Sequence, residues 1–266
     1  MIDVIMITKN SATHTPVFEK SLRSIYREIP VNRLIVVDAF SEDDTLKILE
    51  KLPRVEIHQI KGNRAVARQY GIKQVKTEWF MFVDDDVILR PNWFKIAQKY
   101  MTPDVGLIWG WDVIANPHAR NRMKVMYYLR RKSEYQLARR NFDNRGGLHD
   151  TLIRTRVVKD IEIPSDLHVY EDWYIKRYVE QKGYRCLAPK DLWCYHYLNP
   201  KYNLQSLAQI AKLQKKYGVQ SGLVTIRNLI LAIPKSTAIF LISGDLRASI
   251  DQLKIYVYNF VGRFLL

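Results

Sequence analysis

Cysteine is nearly absent from this 266-residue chain: Cys186 and Cys194 are the only two, and the seven residues between them match none of the common short zinc spacings. One pair is too few for a disulfide scaffold, so the expected setting is reducing and cytoplasmic. The opening Met1-Ile2-Asp3-Val4 carries an acid in its first apolar run and lacks a basic flank, which argues against a secretory signal. Long uncharged runs are missing as well. Residues 223–242 are strongly apolar, but Arg227 and Lys235 interrupt them short of the ~20 residues a membrane crossing needs. Acids are in deficit, 27 Asp and Glu against 42 Lys and Arg, for a formal net charge of +15. That excess favours an anionic partner, whether nucleic acid, phospholipid headgroups or a phosphorylated substrate, with a merely solubilising surface as the plain alternative. Internal repeats, low-complexity tracts and helix-turn-helix, zinc-finger or RNP signatures do not occur.

What is present is enough for a substantial core, with 47% hydrophobic and 12% aromatic residues. Val4-Ile5-Met6-Ile7 reads as a strand covered on both faces. Phe18, Leu22, Ile25 and Ile29 follow at helical spacing, then Leu34-Ile35-Val36-Val37 as a second buried strand. Ser41 and Asp44 suggest the capped start of a helix carrying Leu46 and Leu49. Val55 and Ile57 mark a third strand, Val66, Tyr70 and Val75 a third helix, Trp79-Phe80-Met81-Phe82-Val83 a fourth strand and Val105-Gly106-Leu107-Ile108 a fifth. Strand and helix alternating in this way predict an α/β fold with a mostly parallel sheet, in which ligands bind at the carboxyl ends of the strands. Two acidic clusters fall at such ends, residues 38–44 and Asp84-Asp85-Asp86.

Three consecutive aspartates repel one another and call for a positive partner. A hard divalent cation, Mn2+ or Mg2+, meets that need and keeps positions open for substrate phosphates. The plain alternative is a solvated acidic turn or a helix N-terminus.

The cluster stands in a longer series. Thr8-Lys9-Asn10 is similar to Thr-Tyr-Asn, residues 36–45 to V-V-D-D-G-S-x-D-x-T, residues 63–72 to A-A-R-N-x-G-I, and Phe82-Val83-Asp84-Asp85-Asp86 to F-L-D-x-D. Glu171-Asp172, Gly183-Tyr184 and Pro189 are similar to E-D…G-Y…P. In this order the segments resemble the family 2 glycosyltransferases of GT-A fold, from about residue 3 to residue 197. The resemblance implies a nucleoside-diphosphate-sugar donor, UDP- or GDP-linked, bound by Thr8, Asn10, Asp38, Arg68, Asp84 and Asp85, with Asp38 at the base. It implies a metal held by Asp84, Asp86 and His196, Asp172 beside Glu171 as general base of an inverting transfer, and Gly146, Gly147 and Trp173 on the acceptor side. Ala39-Phe40 departs from the family's Asp-Gly, which leaves the donor base open. Taken from the residues alone, Arg68 caps a helix or pairs with the aspartates, His196 is structural, Glu171-Asp172 is a solvent-facing helix start, and Gly146-Gly147 is a turn between helix and strand.

The resemblance sets a catalytic domain at residues 1–200, donor half to about 115 and acceptor half about 116–200, with a helical extension over 201–266. Residues 120–145 are dense in arginine and lysine interleaved with Tyr127, Tyr128 and Leu129. A nucleic-acid partner is disfavoured because the aspartates would repel it, whereas anionic lipid or a glycan or lipid-linked acceptor fits. Leu246, Ile250, Leu253, Val257, Phe260 and Phe264 recur on one helical face, suited to the membrane surface or to internal packing. The competing readings are a sugar nucleotidyltransferase, which has no evident use for the distant Glu171-Asp172, and a non-enzymatic nucleic-acid-binding protein.

Overall fold

The computed structural model describes residues 1–198 and 203–266, and the chain divides into two compact units, Met1–Val113 with Ala138–Tyr197, and Ile114–Leu137 with Leu198–Leu266. The expected boundary at residues 200 and 201 lies outside the described residues.

The first unit is built on a seven-stranded sheet. Its strands are β1 (Ile2–Thr8), β2 (Val31–Asp38), β3 (Val55–Gln59), β4 (Trp79–Val83), β6 (Val105–Trp109), β8 (Asp150–Arg154) and β9 (Arg185–Leu187), in the order β3-β2-β1-β4-β8-β6-β9. Parallel pairing runs from β3 to β4, where apolar β1, β2 and β4 are buried on both faces. The helix Phe18–Glu28 covers one side with Phe18, Leu22 and Ile25. The helix Arg64–Gln74 covers the other; Asn63 caps it by accepting from the Ala65 and Val66 amides at 3.0 and 3.2 Å. Gly71 brings this helix against β1, where a Cβ would lie 2.7 Å from Ile5 Cγ2.

The expected helix start at Ser41 is displaced. The helix runs Thr45–Leu49, Asp43 Oδ1 accepts the Thr45 amide at 3.0 Å, and the Ser41 amide and hydroxyl both donate to Asp38 instead. The carboxylate one turn back outcompetes the helix for Ser41.

β8 is antiparallel to both neighbours, β4 and β6. Its first residue, Asp150, therefore lies opposite Val83 at the carboxyl end of β4, and the Asp84 amide donates to the His149 carbonyl at 2.9 Å. A smaller sheet of β5 (Val87–Leu89), β10 (Trp193–His196) and β7 (Trp111–Ile114), in the order β5-β10-β7, begins one residue beyond Asp86. His196 thus closes strand β10, opposite Val87.

The second unit is helical: Pro117–Arg130, Leu204–Lys216, Gly222–Ile230, Ala232–Ser243 and Leu246–Phe264. The last helix packs on the other four, and does so with its small and polar face, burying Ala248, Ser249, Gln252 and Gly262. Gly262 lies so close to Ala208 that a Cβ would strike its backbone. The apolar stripe seen in the sequence turns outward: Leu246, Ile250, Leu253 and Phe264 are 59, 42, 37 and 45% exposed. Asp245 caps this helix through the Ala248 amide at 2.9 Å and also receives the Asn121 side chain at 3.1 Å. No single helix among the described residues is long and apolar enough to cross a membrane; Gly222–Ile230 and Ala232–Ser243 meet at a 52° bend. This unit holds fifteen Lys and Arg against three Asp and Glu, +12 of the chain's +15.

Gly71→Val tests the helix-to-strand contact: overpacking against Ile5 is expected to lower stability by about 1–3 kcal/mol in urea unfolding.

Candidate active site

β4 delivers the three aspartates into one turn, but their side chains have different partners. Arg68, on the helix above the sheet, is 4% exposed and donates from Nη2 to Asp84 Oδ1 at 3.1 Å and from Nε to Glu171 Oε1 at 3.2 Å. Its guanidinium lies over the Phe82 ring, 4.8 Å from the centroid. The alternative in which Arg68 pairs with the aspartates is thus the observed one. Burial is the largest influence on Asp84 and opposes its charge, yet Arg68, together with His149, Arg64 and His196, holds this carboxyl below its usual range. For Glu171 burial wins over Arg68, and neighbouring Asp172 adds to the upward shift. Asp85 turns toward β1, accepting from the Ser11 hydroxyl with Thr8 Oγ1 at 3.5 Å; burial pushes it up to about 7, with Asp86 and Asp84 adding to the rise.

Asp86 Oδ1 is buried, makes no hydrogen bond among the described residues and lies 3.3 Å from His196 Nε2. His196 Nδ1 faces Asp112 Oδ2 at 3.7 Å. Burial disfavours the imidazolium, but Asp112 and Asp86 raise it to about 10. Asp112, His149 and His196 bring possible ligand atoms within 4.8 Å of one another. His149 is already committed, however. The Trp109 indole N–H donates to its Nε2 at 3.1 Å, which leaves the ring proton on Nδ1, 2.8 Å from Asp150 Oδ1. An unsatisfied carboxylate oxygen beside an imidazole nitrogen, with two further carboxylates in the same turn, fits a hard divalent cation at Asp86 and His196. The sequence does not single out Asp112 or His149; the visible signal for the second is the His149-Asp150 pair one residue after Gly146-Gly147.

A cavity of about 450 Å3 opens at the carboxyl ends of the parallel strands, walled by Thr8, Ala39, Arg64, Arg68 and all three aspartates. Two expected donor residues, Asp38 and Asn10, are not among those lining it. Asp38 is fully buried and accepts from Ser41 and from Gln59 Nε2 at 3.1 Å. Asn10, at φ 53°, ties two loops together: its Oδ1 accepts the Glu42 amide and its own amide donates to Ser41 Oγ, at 2.8 and 2.7 Å. Phe40 takes φ 57° where the family pattern has glycine.

The acid pair opens the helix Glu171–Gln181. Glu171 faces inward to Arg68, so this helix start is not turned wholly to solvent as the plain reading had it. Asp172 lies 3.4 Å from Arg145 Nε and accepts the Trp173 amide at 2.8 Å. Arg145, grouped by sequence with the basic stretch, is raised in pKa by Asp172 and lies over the Tyr170 ring at 5.0 Å. Gly146, at φ +94°, ends the preceding helix against the Asp172 carbonyl, 2.7 Å from where a Cβ would stand. Gly147 makes room in the same way for the Trp109 indole. Trp173 packs under Arg177, 5.9 Å from the ring centroid.

Arg68→Met leaves the buried Glu171 and the half-buried Asp84 without their cation, and urea denaturation should register a loss of about 3 kcal/mol. Arg68→Lys, which lacks the guanidinium fork, is expected to recover only part of it.

The family model for glycosyl transferase family 2 matches residues 3–160, more than half of the chain. Similar solved structures include the mannosyltransferase PcManGT from Pyrobaculum calidifontis in complex with GDP-Man and Mn2+, at 14% identity and TM-score 0.62 over 98% of this chain and 85% of that one. S. aureus TarS 1-349 is similar at 17% identity and TM-score 0.58, covering 97% of this chain and 71% of that chain. Glucosyl-3-phosphoglycerate synthase from Mycobacterium tuberculosis in complex with Mn2+ and UDP-Glc is similar at 16% identity and TM-score 0.55, over 84% and 80% of the two chains. No curated protein sequence matches significantly. With a mostly parallel seven-stranded sheet, an acidic turn at its carboxyl edge and this family match, the chain belongs to glycosyl transferase family 2 and is a glycosyltransferase of GT-A architecture.

Proposed function

We propose that the enzyme transfers a sugar from a UDP- or GDP-linked donor to an acceptor hydroxyl or a lipid-linked phosphate acceptor, with inversion. The observation that carries this reading is the cavity at the carboxyl edge of the sheet, which gathers Asp84, Asp85 and Asp86 with Arg64 and Arg68. Mn2+ or Mg2+ would be held by Asp86 and His196, with Asp84 beside them. The cation supplies charge for the leaving nucleoside diphosphate. Arg64 and Lys9, also on the cavity wall, add positive charge toward the same phosphates. Asp172 would accept the proton of the acceptor hydroxyl, oriented by Arg145, while Glu171 holds Arg68. The related folds in complex with GDP-Man and Mn2+ and with UDP-Glc and Mn2+ support this choice of donor and metal.

In calorimetry Asp86→Ala should lose Mn2+-dependent binding of nucleoside diphosphates. Asp172→Asn should bind them normally and lose about 10²–10⁴-fold in turnover. Equal loss of donor binding in both variants, or release of pyrophosphate in place of a nucleoside diphosphate, would sink the reading.

The second unit supports a peripheral position on the cytoplasmic face of a membrane. Its charge of +12 suits anionic headgroups, and Leu246, Ile250 and Leu253 on the last helix, with Leu223, Ile230 and Ile233 on two others, are exposed apolar side chains. Co-sedimentation with anionic vesicles is expected to fall at least tenfold in Ile250→Glu/Leu253→Glu, since each inserted side chain is worth about 1.5–3 kcal/mol. Unchanged binding by the double variant would remove this part of the proposal.

A further inference from the structure

The small sheet sets three polar side chains in a row. Asp86 immediately precedes β5, His196 closes the central strand β10, and Asp112 stands on β7 along the opposite edge. The imidazole between them directs Nε2 to Asp86 at 3.3 Å and Nδ1 to Asp112 at 3.7 Å. His196 Nδ1 is buried and makes no hydrogen bond among the described residues. The other imidazole at hand, His149, packs against the His196 ring at 4.7 Å, but its Nε2 accepts from Trp109 and its Nδ1 faces Asp150 Oδ1 at 2.8 Å and Cys194 Sγ at 3.6 Å. Asp112 is thus the acceptor placed for the Nδ1 proton.

A histidine that gives one nitrogen to a metal is commonly oriented by a carboxylate at the other, which fixes both the ring and its tautomer. We propose that Asp112 is the positioning residue of the cation site: it accepts from His196 Nδ1–H and leaves the Nε2 lone pair directed to the ion shared with Asp86. This rests on the metal reading of Asp86 and His196 and adds a residue outside the acidic turn. Asp112 itself touches neither donor nor acceptor in this role. The ring of His149 lies 4.7 Å from that of His196 and is itself held by the Trp109 indole at 3.1 Å.

Mn2+ affinity of the full-length protein, measured by calorimetry without sugar donor, tests the role. Asp112→Asn is expected to weaken Mn2+ binding about 10–100-fold, the range found when such orienting partners are removed, and Asp112→Glu to recover part of it. Thermal unfolding of each variant checks that the fold is kept. In the Mg2+ complex, nitrogen NMR of the wild type should report the His196 proton on Nδ1, and Asp112→Asn should shift that signal. Wild-type Mn2+ affinity in Asp112→Asn, or a His196 proton on Nε2 in the Mg2+ complex, overturns the role. So does a complete loss matching Asp86→Ala, which would make Asp112 a direct ligand. Should Asp86→Ala also retain Mn2+, the metal reading beneath the inference is what fails.

Discussion

Arg68 bonds two acids that lie 16 and 103 residues away along the chain, and both ends of the site are referenced to it. Asp84 is fixed at the mouth of β4, which sets the turn carrying Asp85 and Asp86. Glu171 is fixed at the first turn of its helix, which sets Asp172. A cation buried this deeply is expensive to desolvate, and its pairs recover that cost only with good geometry. The Phe82 ring beneath the guanidinium and the close seat of the helix at Gly71 supply the geometry. The triad therefore contributes placement more than net stability, joining the metal motif to the acid pair through one side chain.

The reversal at β8 is the second organising feature. Because β8 runs against β4, the residues entering it arrive at the same edge where the parallel strands end, bringing His149 and Asp150 to the acidic turn. The helix before β8 finishes at that edge too, so Arg145 meets Asp172 and Gly146 packs on its backbone. Behind them Trp109 stacks on Phe142 at 5.0 Å with nearly parallel rings and donates to His149. An all-parallel sheet would have sent these groups to the opposite edge.

Much of this frame was legible in the sequence, for identifiable reasons. Strands β1, β2 and β4 are continuous apolar runs, and the helices between them keep their spacing, so the edge where ligands bind could be read before any contact was known. The small sheet could not. Its strands have three or four residues, too few for periodicity to register, and Asp112 has no neighbour in sequence that marks it. Asp38 and Asn10 show a different limit. Their residue types suited a ligand, and the sequence did not show that Ser41 and Gln59 also donate to Asp38 and the Glu42 amide to Asn10 Oδ1. In the last helix the period was visible and its direction was not, since which face packs is decided by the room that Ala248 and Gly262 leave for a neighbouring backbone.

The partition of charge changes what the composition means. A net +15 invites the reading that a basic protein has a basic active site, yet the first unit, which holds the cavity, carries twenty-seven Lys and Arg against twenty-four Asp and Glu. Its cations are largely engaged locally: Arg68 with Asp84 and Glu171, Arg145 with Asp172, Arg154 with Glu78, and Arg33 with Asp3. Local pairing of this kind leaves little field at a distance once salt screens it. The excess belongs to the helical unit, where three acids face fifteen bases and where apolar side chains are turned outward. The exposed apolar surface on this unit would be a liability if left in water. Positive charge and apolar surface together are the two components that reversible attachment to an anionic bilayer requires, and neither is needed to hold a nucleotide. The basic composition therefore bears on where the enzyme is proposed to work, whereas a few buried ion pairs in a nearly neutral unit bear on the chemistry proposed for it.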